Sequence, residues 1–513
     1  MLYTIGLVAY ILAMLAVGFW VKDRVKSTED FLVAGRKLNT MYSFFALMPC
    51  YLGSFVLIGT AGTSFTDGFW SSESQWGILT DSGGAFVCMA LCFMFYMPKI
   101  WKLRLISLGD LYYDRYGRIC GIIASIFLTG GFMFWVATQV LVFAKLIAPI
   151  LGWDPNFALV VALVVICLYT IMGGLWAVAT TDIFQVSLVL AGILVLFPVA
   201  LDAVGGWENF RAHVPIEITH ILPQDGNPTG KWIPWVAGWL IVGIGGVATP
   251  DLMQRAFAAK SVSVIRRSSC LAMVALFIAT LLVYYIAQMG RVMFDQGLLP
   301  TELLMDDPEL ILPVMFKHIL PAPLVCLFLG AGLAAVMSAA ASSILAVSGL
   351  FAKNIYKDIF VPNASDKSII LVTRILILVV AFGGYGIAVA FPYAQNMSVF
   401  VFDLLLACMF VPMTLALCWK KANGYGALAG MIAGFGFRVI GGSMAMGFSW
   451  EGILSPLDNW WWFTLLSPSL CLVVMVAVSL LTQKINPPVP LKEYDDNGEP
   501  KLKKGEWLNP VIT

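Results

Sequence analysis

The chain has 513 residues, of which 60% are hydrophobic and only 12% are charged, and its formal net charge is +1. A water-soluble protein of this size carries about twice that charged fraction. So much apolar surface requires lipid as its solvent, and the small net charge gives no reason to expect a nucleic-acid partner. We therefore expect an all-α integral membrane protein embedded in a lipid bilayer.

Apolar runs long enough to cross a bilayer recur along the whole chain. A spanning helix needs about 20 mostly apolar residues. About thirteen segments meet this requirement, and they are 2–21, 41–64, 78–98, 119–149, 155–174, 182–203, 233–256, 267–290, 321–350, 368–391, 396–419, 424–444 and 461–482. These segments predict one transmembrane domain over residues 1–485, followed by a polar tail, 486–513, with the composition of a flexible end.

The basic residues predict how the chain is oriented. They cluster in alternate loops, for example in 22–37, 99–118 and 260–267, whereas the intervening loops are acidic or neutral. Loops rich in Lys and Arg face the cytoplasm. We therefore predict a multi-pass protein of the cell (inner) membrane, with its N-terminus outside and its C-terminus in the cytoplasm.

Two of the predicted spans contain Pro and Gly near their middle. The runs are 49–54 in the second span and 243–250 in the seventh. In hydrocarbon every backbone polar group must be bonded internally, so a broken helix is tolerated where it lines a cavity. Gly and Pro can also serve only close helix packing. Paired breaks at matching positions of two halves are typical of secondary transporters, and they favour that class here.

Ionisable residues inside apolar segments are functional candidates because burying them in a membrane is costly. The carboxylates of this kind are Asp81, Asp182, Asp251 and Asp403. Asp182 follows two threonines at the predicted start of the sixth segment, where it could instead cap a helix. Ser338 and Ser342 are four residues apart and share a helix face. Their hydroxyls could bind a hard cation or bond their own backbone.

Several motifs resemble the sodium:solute symporter family. They are Asp30-Phe31-Leu32-Val33-Ala34-Gly35-Arg36, the stretch 169–178 with Thr181-Asp182, and Ala334–Ser338 followed by Asn354-Ile355-Tyr356. The likeness runs through about residue 445 and is strongest to the high-affinity choline transporter branch. It implies a leucine-transporter-type fold with a 5+5 inverted repeat, one extra span before the repeats and two after them. The repeats would cover about 41–203 and 233–419.

The resemblance also implies ion-binding positions. One sodium site would use Pro49, Leu52, Ala335, Ser338 and the position of Ala339, and a second would use Asp182, Ser338, Ser342 and the position of Ala341. The two alanines each leave a site one oxygen short, and hard cations need several oxygen ligands. Sodium is the expected coupling ion, and a proton carried by a carboxylate such as Asp81 is the alternative.

The expected solute is a small organic compound. Recognition of a quaternary ammonium requires several aromatic faces. The resemblance to the choline transporter branch implies that its choline-binding positions are Tyr51, Gly84, Trp135 and Thr249 here, and two of these four residues are aromatic. Choline, another amine, or a neutral or zwitterionic metabolite all remain open. The full set of predicted substrate-binding residues is Tyr51, Phe55, Asp81, Trp135, Thr249, Asp251 and Asp403.

The predicted function is sodium-coupled symport of a small organic solute by alternating access, carried out by a monomer without a cofactor other than the coupling ion. Proton-coupled or uncoupled transport by the same fold is one alternative. A polytopic membrane enzyme is another, although the chain contains neither HExxH nor GxSxG. A channel or sensor with a transporter-like body is the third.

Overall fold

The computed structural model of the protein describes residues 2–21, 26–71, 76–223, 232–440 and 460–495. Within these ranges the chain is almost entirely helical, and a single β-bridge pairs Leu38 with Ala259. The last residues of the predicted segment 424–444 and the end of the predicted tail, 496–513, lie outside the described residues.

The helices follow one another with short connections. Those of the first half are α1 (Leu2–Val21), α2 (Thr28–Val33), α3 (Thr40–Leu52), α4 (Phe55–Asp67), α5 (Ile78–Trp101), α6 (Leu108–Tyr116), α7 (Arg118–Leu151), α8 (Pro155–Ile171) and α9 (Gly174–Ala203). Those of the second half are α10 (Gly206–His213), α11 (Ile233–Ala248), α12 (Pro250–Ala258), α13 (Val262–Asp295), α14 (Thr301–Asp306), α15 (Ile311–Ile319), α16 (Ala322–Phe360), α17 (Asp366–Ala390), α18 (Ala394–Cys418), α19 (Gly424–Ile440) and α20 (Trp460–Leu481).

The described helices make this a multi-pass membrane protein. Eight of them are long and apolar enough to cross a membrane, and two bent pairs raise that number to as many as ten. Helices α1, α8 and α19 occupy the three remaining predicted segments. Helix therefore occurs in every predicted segment, while the count of thirteen crossings stays a prediction.

Both predicted breaks are confirmed. Helices α3 and α4 meet at an angle of 42°, and α11 and α12 meet at 46°. Gly53 separates the first pair with non-helical backbone angles (φ −73°, ψ −123°). At the second break Thr249 is extended and Pro250 begins α12, because proline is accommodated at the first position of a helix but not in its interior.

The two halves repeat the same order of elements. A broken pair is followed by four apolar helices, first α3/α4 with α5, α7, α8 and α9, and then α11/α12 with α13, α16, α17 and α18. Helix α1 precedes these two sets, and α19 and α20 follow them. Helices α16 and α18 lie at the centre of the bundle, because 78% of the most apolar 18-residue stretch of each is buried. The corresponding fraction for α20 is 28%, so α20 lies at the periphery.

The sixth predicted segment begins eight residues too late. Helix α9 starts at Gly174, whose φ of +57° and whose contact with the backbone of Phe31 leave no room for a Cβ atom. Asp182 is therefore two turns inside the helix, and the capping role considered for it is wrong. Thr180 and Thr181 do not start a helix here, because their hydroxyls bond backbone carbonyls of the preceding turn.

The first part of the predicted tail packs against the loop between α5 and α6. Glu493 pairs with Lys102 at 3.1 Å, and the Tyr494 N–H donates to the Lys102 carbonyl at 2.8 Å. The Asp495 carbonyl accepts a hydrogen bond from Arg104 at 3.1 Å. Flexibility of the tail, 486–513, stays a prediction.

A buried ion pair joins α18 to the two helices that follow it. The Asp403 Oδ2 accepts from Arg438 Nε of α19 at 2.6 Å, and its Oδ1 accepts from the Thr464 hydroxyl of α20 at 3.1 Å. All three side chains are at most 2% exposed. A buried pair is tolerated when it is complete, whereas removal of one partner leaves an uncompensated charge.

We expect Arg438→Leu to lower the free energy of unfolding by about 3–5 kcal/mol, because the Asp403 carboxylate would remain buried without its cation. The double variant D403L/R438L should recover most of that loss, since it removes both charges. Thermal unfolding of the purified protein in detergent measures both effects. A single variant as stable as the parent protein would show that this pair does not hold α18 and α19 together.

Candidate functional site

The first break lies directly against the small-residue helix α16. A Cβ atom placed on Gly53 would lie 2.9 Å from the Ala339 Cβ, 3.1 Å from the Ala335 carbonyl oxygen and 3.4 Å from the Pro49 carbonyl oxygen. Only glycine permits this approach of two backbones. The break therefore brings the predicted sodium positions Pro49 and Ala335 to the same point, next to Leu52 in the chain, between α3 and α16.

A second group of predicted ion ligands meets where α9 packs on α16. The Ser338 hydroxyl donates a short hydrogen bond to Oδ1 of Asp182, and both side chains are fully buried. The other carboxylate oxygen, Oδ2, has no hydrogen-bond partner among the described residues. Ser342 instead donates to the Ser338 carbonyl at 2.7 Å. Asp182 and Ser338 thus offer oxygen ligands, while Ser342 bonds its own helix.

Aromatic side chains from four helices converge beside the first break. Trp135 and Phe402 are 5.3 Å apart between ring centroids, Phe55 lies 5.7 Å from Phe402, and Tyr51 lies 6.1 Å from Phe402. Each of these rings is at most 2% exposed. We call Tyr51, Phe55, Trp135 and Phe402 the aromatic cluster. It unites three predicted substrate-binding residues.

Phe402 is the member of the cluster that the sequence reasoning missed. It precedes Asp403, whose charge drew attention to this part of the chain. Because consecutive residues of a helix point about 100° apart, Phe402 reaches the cluster while Asp403 reaches Arg438 on the other side. The sequence signal that could have indicated Phe402 was an aromatic residue directly before a charged residue in a late apolar segment.

The second break reaches the cluster through Tyr51. A Cβ atom on Gly246 would lie 2.5 Å from the Tyr51 hydroxyl, so the two broken helices touch there. The Thr249 hydroxyl donates to the Gly246 carbonyl at 2.8 Å, which places this predicted residue at the same junction. Gly84, in contrast, packs against Val242, where it allows α5 and α11 to approach each other.

Three predicted carboxylates are bonded to groups outside the aromatic cluster. Asp81 accepts from Gln395 Nε2 at 2.8 Å and from the Thr60 hydroxyl at 3.1 Å. Asp251 accepts the Leu252 N–H at 2.7 Å in the first turn of α12. Asp403 belongs to the ion pair described above. Their roles in substrate binding stay predictions, and the structure does not bring them together.

Arg255 fixes α12 against the first broken helix. Its Nε donates a short hydrogen bond to the Ala46 carbonyl of α3, and its Nη1 donates to the Asp251 carbonyl at 3.0 Å. The side chain is 1% exposed. The guanidinium thus bonds one backbone carbonyl from each of the two broken pairs.

Comparison with known proteins agrees with this architecture. The sequence model of the sodium:solute symporter family matches residues 31–434. High affinity choline transporter 1 of Homo sapiens is 27% identical over 450 residues, which cover 85% of this chain and 76% of that protein. Sodium/glucose cotransporter 4 of Danio rerio is 27% identical, with 93% of this chain and 78% of that protein covered.

A solved structure shares the fold. The substrate-bound, outward-open structure of a Na⁺-coupled sialic acid symporter superposes with a TM-score of 0.78 at 20% identity, and the match covers 94% of this chain and 98% of that one. Such a likeness establishes the arrangement of helices. With the family match over most of the chain, it shows that this protein belongs to the sodium:solute symporter family, as a sodium-coupled secondary transporter with the leucine-transporter fold.

Proposed function

We propose that this protein carries a small organic solute together with sodium across the membrane, with the solute at the aromatic cluster and sodium where the first break crosses α16. The observation that carries the proposal is the contact of Gly53 with Ala335 and Ala339. It sets a broken backbone, whose carbonyls can bind a cation, directly beside the aromatic cluster. One conformational change can then expose ion and solute together.

The oxygen donors support sodium at two neighbouring places. Pro49, Leu52, Ala335 and Ser338 would form the first site, and Asp182, Ser338 and Ser342 the second. Ser338 is common to both, and its hydroxyl bonds Asp182. Ala339 lies against Gly53 with no hydroxyl to offer. The first site therefore depends on backbone carbonyls, which hard cations accept as ligands.

The aromatic cluster supports an organic solute with an apolar or cationic portion. Aromatic faces attract ammonium groups, and high affinity choline transporter 1 is among the similar proteins. Two of the four positions matched to choline binding, Tyr51 and Trp135, are aromatic members of the cluster. Phe55 and Phe402 supply two further aromatic rings. A choline-like compound is accordingly the first solute class to test.

A polar network closes the end of the bundle that we assign to the outside. Lys145 of α7 pairs with Asp307 at 2.7 Å and with Glu309 at 2.5 Å. Glu309 also accepts the backbone N–H groups of Ala394 at 3.0 Å and Gln395 at 2.7 Å. We call this the outer network. It holds the first turn of α18 against α7, above Phe402.

The opposite end is closed by a second set of contacts. Asp110 of α6 pairs with Lys353 of α16 and accepts from Asn354 Nδ2 at 2.8 Å. Polar contacts thus join helices at both ends of the bundle, and the aromatic rings between them are at most 2% exposed. The orientation with the N-terminus outside follows from the basic loops. We also infer a monomer with one transporter domain over 1–485, because each inverted-repeat core encloses its own site.

A proton at Asp81 is the second candidate for the coupling ion. Asp81 is fully buried and is held by Thr60 of α4 and Gln395 of α18. Gln395 is also bonded through its backbone to Glu309 of the outer network. A protonation change at Asp81 would thus act on the closure of the outer end.

Sodium-driven uptake into proteoliposomes tests the coupling. We expect Ser338→Ala and Asp182→Asn to raise the sodium concentration for half-maximal uptake at least about tenfold, since each removes or weakens an oxygen ligand. We expect Ala339→Ser to lower the sodium concentration for half-maximal uptake, because a serine hydroxyl then faces the first break. Asp81→Asn is the matched control and should keep sodium dependence. Uptake that follows a proton gradient and ignores sodium would contradict the sodium proposal, and loss of that uptake in Asp81→Asn would identify Asp81 as the coupling residue.

Loss of the outer network should open the site toward the outside. Cys88 is suited as a reporter because it is buried and accepts a hydrogen bond from the Tyr51 hydroxyl at 3.1 Å. In a protein that retains only Cys88, we expect Glu309→Gln to increase its labelling by a charged thiol reagent added outside. Glu302→Gln, at an exposed position of α14, is the control. Unchanged labelling in Glu309→Gln would contradict the gating role of the outer network.

A further inference from the structure

One buried amide side chain in α7 has no hydrogen-bond partner at either end. Gln139 is 0% exposed, and neither its Oε1 nor its Nε2 has a partner among the described residues. The other glutamines with an unpartnered buried Oε1 each donate through Nε2, and they are Gln185, Gln254, Gln288 and Gln395. Buried polar groups in proteins are almost always bonded, so Gln139 points to a ligand.

Gln139 lies on the side of α7 that carries Trp135 of the aromatic cluster. Four residues separate the two, so they point about 40° apart and Gln139 stands one turn nearer the outer end. Leu146, on the same face, packs on Gly332 of α16. This face of α7 is therefore directed into the centre of the bundle, toward α4, α16 and α18.

Other unpartnered polar atoms belong to the same region. Trp135 is in the aromatic cluster, and its Nε1–H has no partner among the described residues. Ser54, in the first break between Tyr51 and Phe55, has a buried hydroxyl that is likewise unpartnered. Trp135 and Gln139 thus place two unpartnered N–H donors on neighbouring turns of one face of α7.

The members of the aromatic cluster carry no ionised side chain. The nearby carboxylates Asp81, Asp251 and Asp403 are each bonded to other groups. Aromatic faces favour a cation, whereas N–H donors with no acceptor favour an anionic oxygen. A solute that carries both charges satisfies both surfaces and needs no counter-charge from the protein, which keeps the penalty for burying charge low.

We propose that the solute is a small zwitterion. Its ammonium group lies against the aromatic cluster, and its carboxylate accepts hydrogen bonds from Trp135 Nε1 and Gln139 Nε2. This inference rests on the proposed function, because it assigns the chemical class of the solute to the same site. Gln139 is then a specificity-determining residue that binds the solute directly.

Glycine betaine and choline form a matched pair of probes, because both carry a trimethylammonium group and only the former carries a carboxylate. Binding to the purified full-length protein, in the presence of sodium, is measured by calorimetry for both. We expect glycine betaine to bind at least about tenfold more tightly than choline, since a hydrogen bond to a charged group contributes about that factor. Choline binding that equals or exceeds betaine binding overturns the inference.

The variants separate the carboxylate contact from the ammonium contact. Gln139→Leu removes one donor at nearly constant volume, so it should weaken glycine betaine about tenfold and leave choline nearly unchanged. Trp135→Phe removes the other donor together with part of the aromatic face, so it should weaken both probes, and glycine betaine more than choline. Gln288→Leu is the control, because this buried amide is bonded to Ser64 away from the cluster. A selectivity ratio that Gln139→Leu does not change, or that Gln288→Leu changes equally, also overturns the inference.

Uptake distinguishes this inference from the function on which it rests. Proteoliposomes with an inward sodium gradient receive glycine betaine, choline, proline or glucose in separate experiments. If choline or glucose is taken up with sodium in preference to the two zwitterions, glycine betaine and proline, the symport proposal stands and the inference of a zwitterionic solute is refuted. Absence of sodium-driven uptake for every probe would refute both. Preferential accumulation of the zwitterions supports both.

Discussion

The contact between the first break and α16 is the constraint on which the rest of the structure depends. At Gly53 two backbones approach so closely that a single Cβ atom would collide with Ala339. This approach requires glycine on one helix and small residues on the other, and it explains why α16 is rich in Ala and Ser through its buried middle. Two of the predicted sodium positions, Pro49 and Leu52, and two rings of the aromatic cluster, Tyr51 and Phe55, then become neighbours because they belong to the same broken helix.

Buried charges in this protein serve separate purposes that their burial alone does not reveal. Asp403 is neutralised by Arg438 and holds α18 to the peripheral helices. Glu309 is bonded to Lys145 and caps α18 from another element. Asp182 retains an oxygen with no hydrogen-bond partner in the described parts of the chain, at the place where α9 meets α16. A charge that is fully paired contributes structure, whereas an oxygen left unpaired in a low-dielectric interior is available to a cation.

Much of the fold was predictable from the sequence, while the site was predictable only in part. Both breaks and the order of the spans follow from Pro, Gly and apolar runs, because a bilayer requires every backbone group to be bonded within a helix. The start of α9 was misplaced, since Thr180 and Thr181 resemble a helix start but bond their own helix. Phe402 and Gln139 were missed because an aromatic or amide residue in a span has the same local pattern whether it packs or binds.

The sequence by itself determined the membrane environment, the paired breaks and the family, because these depend on composition, local periodicity and motifs. Only the tertiary structure decided which buried side chains share a space. It separated Asp81 and Asp403 from the aromatic cluster, added Phe402 to that cluster, and left Gln139 without a hydrogen-bond partner among the described residues. Those outcomes depend on the rotation and crossing of helices far apart in the chain, which are set by packing against glycine and alanine.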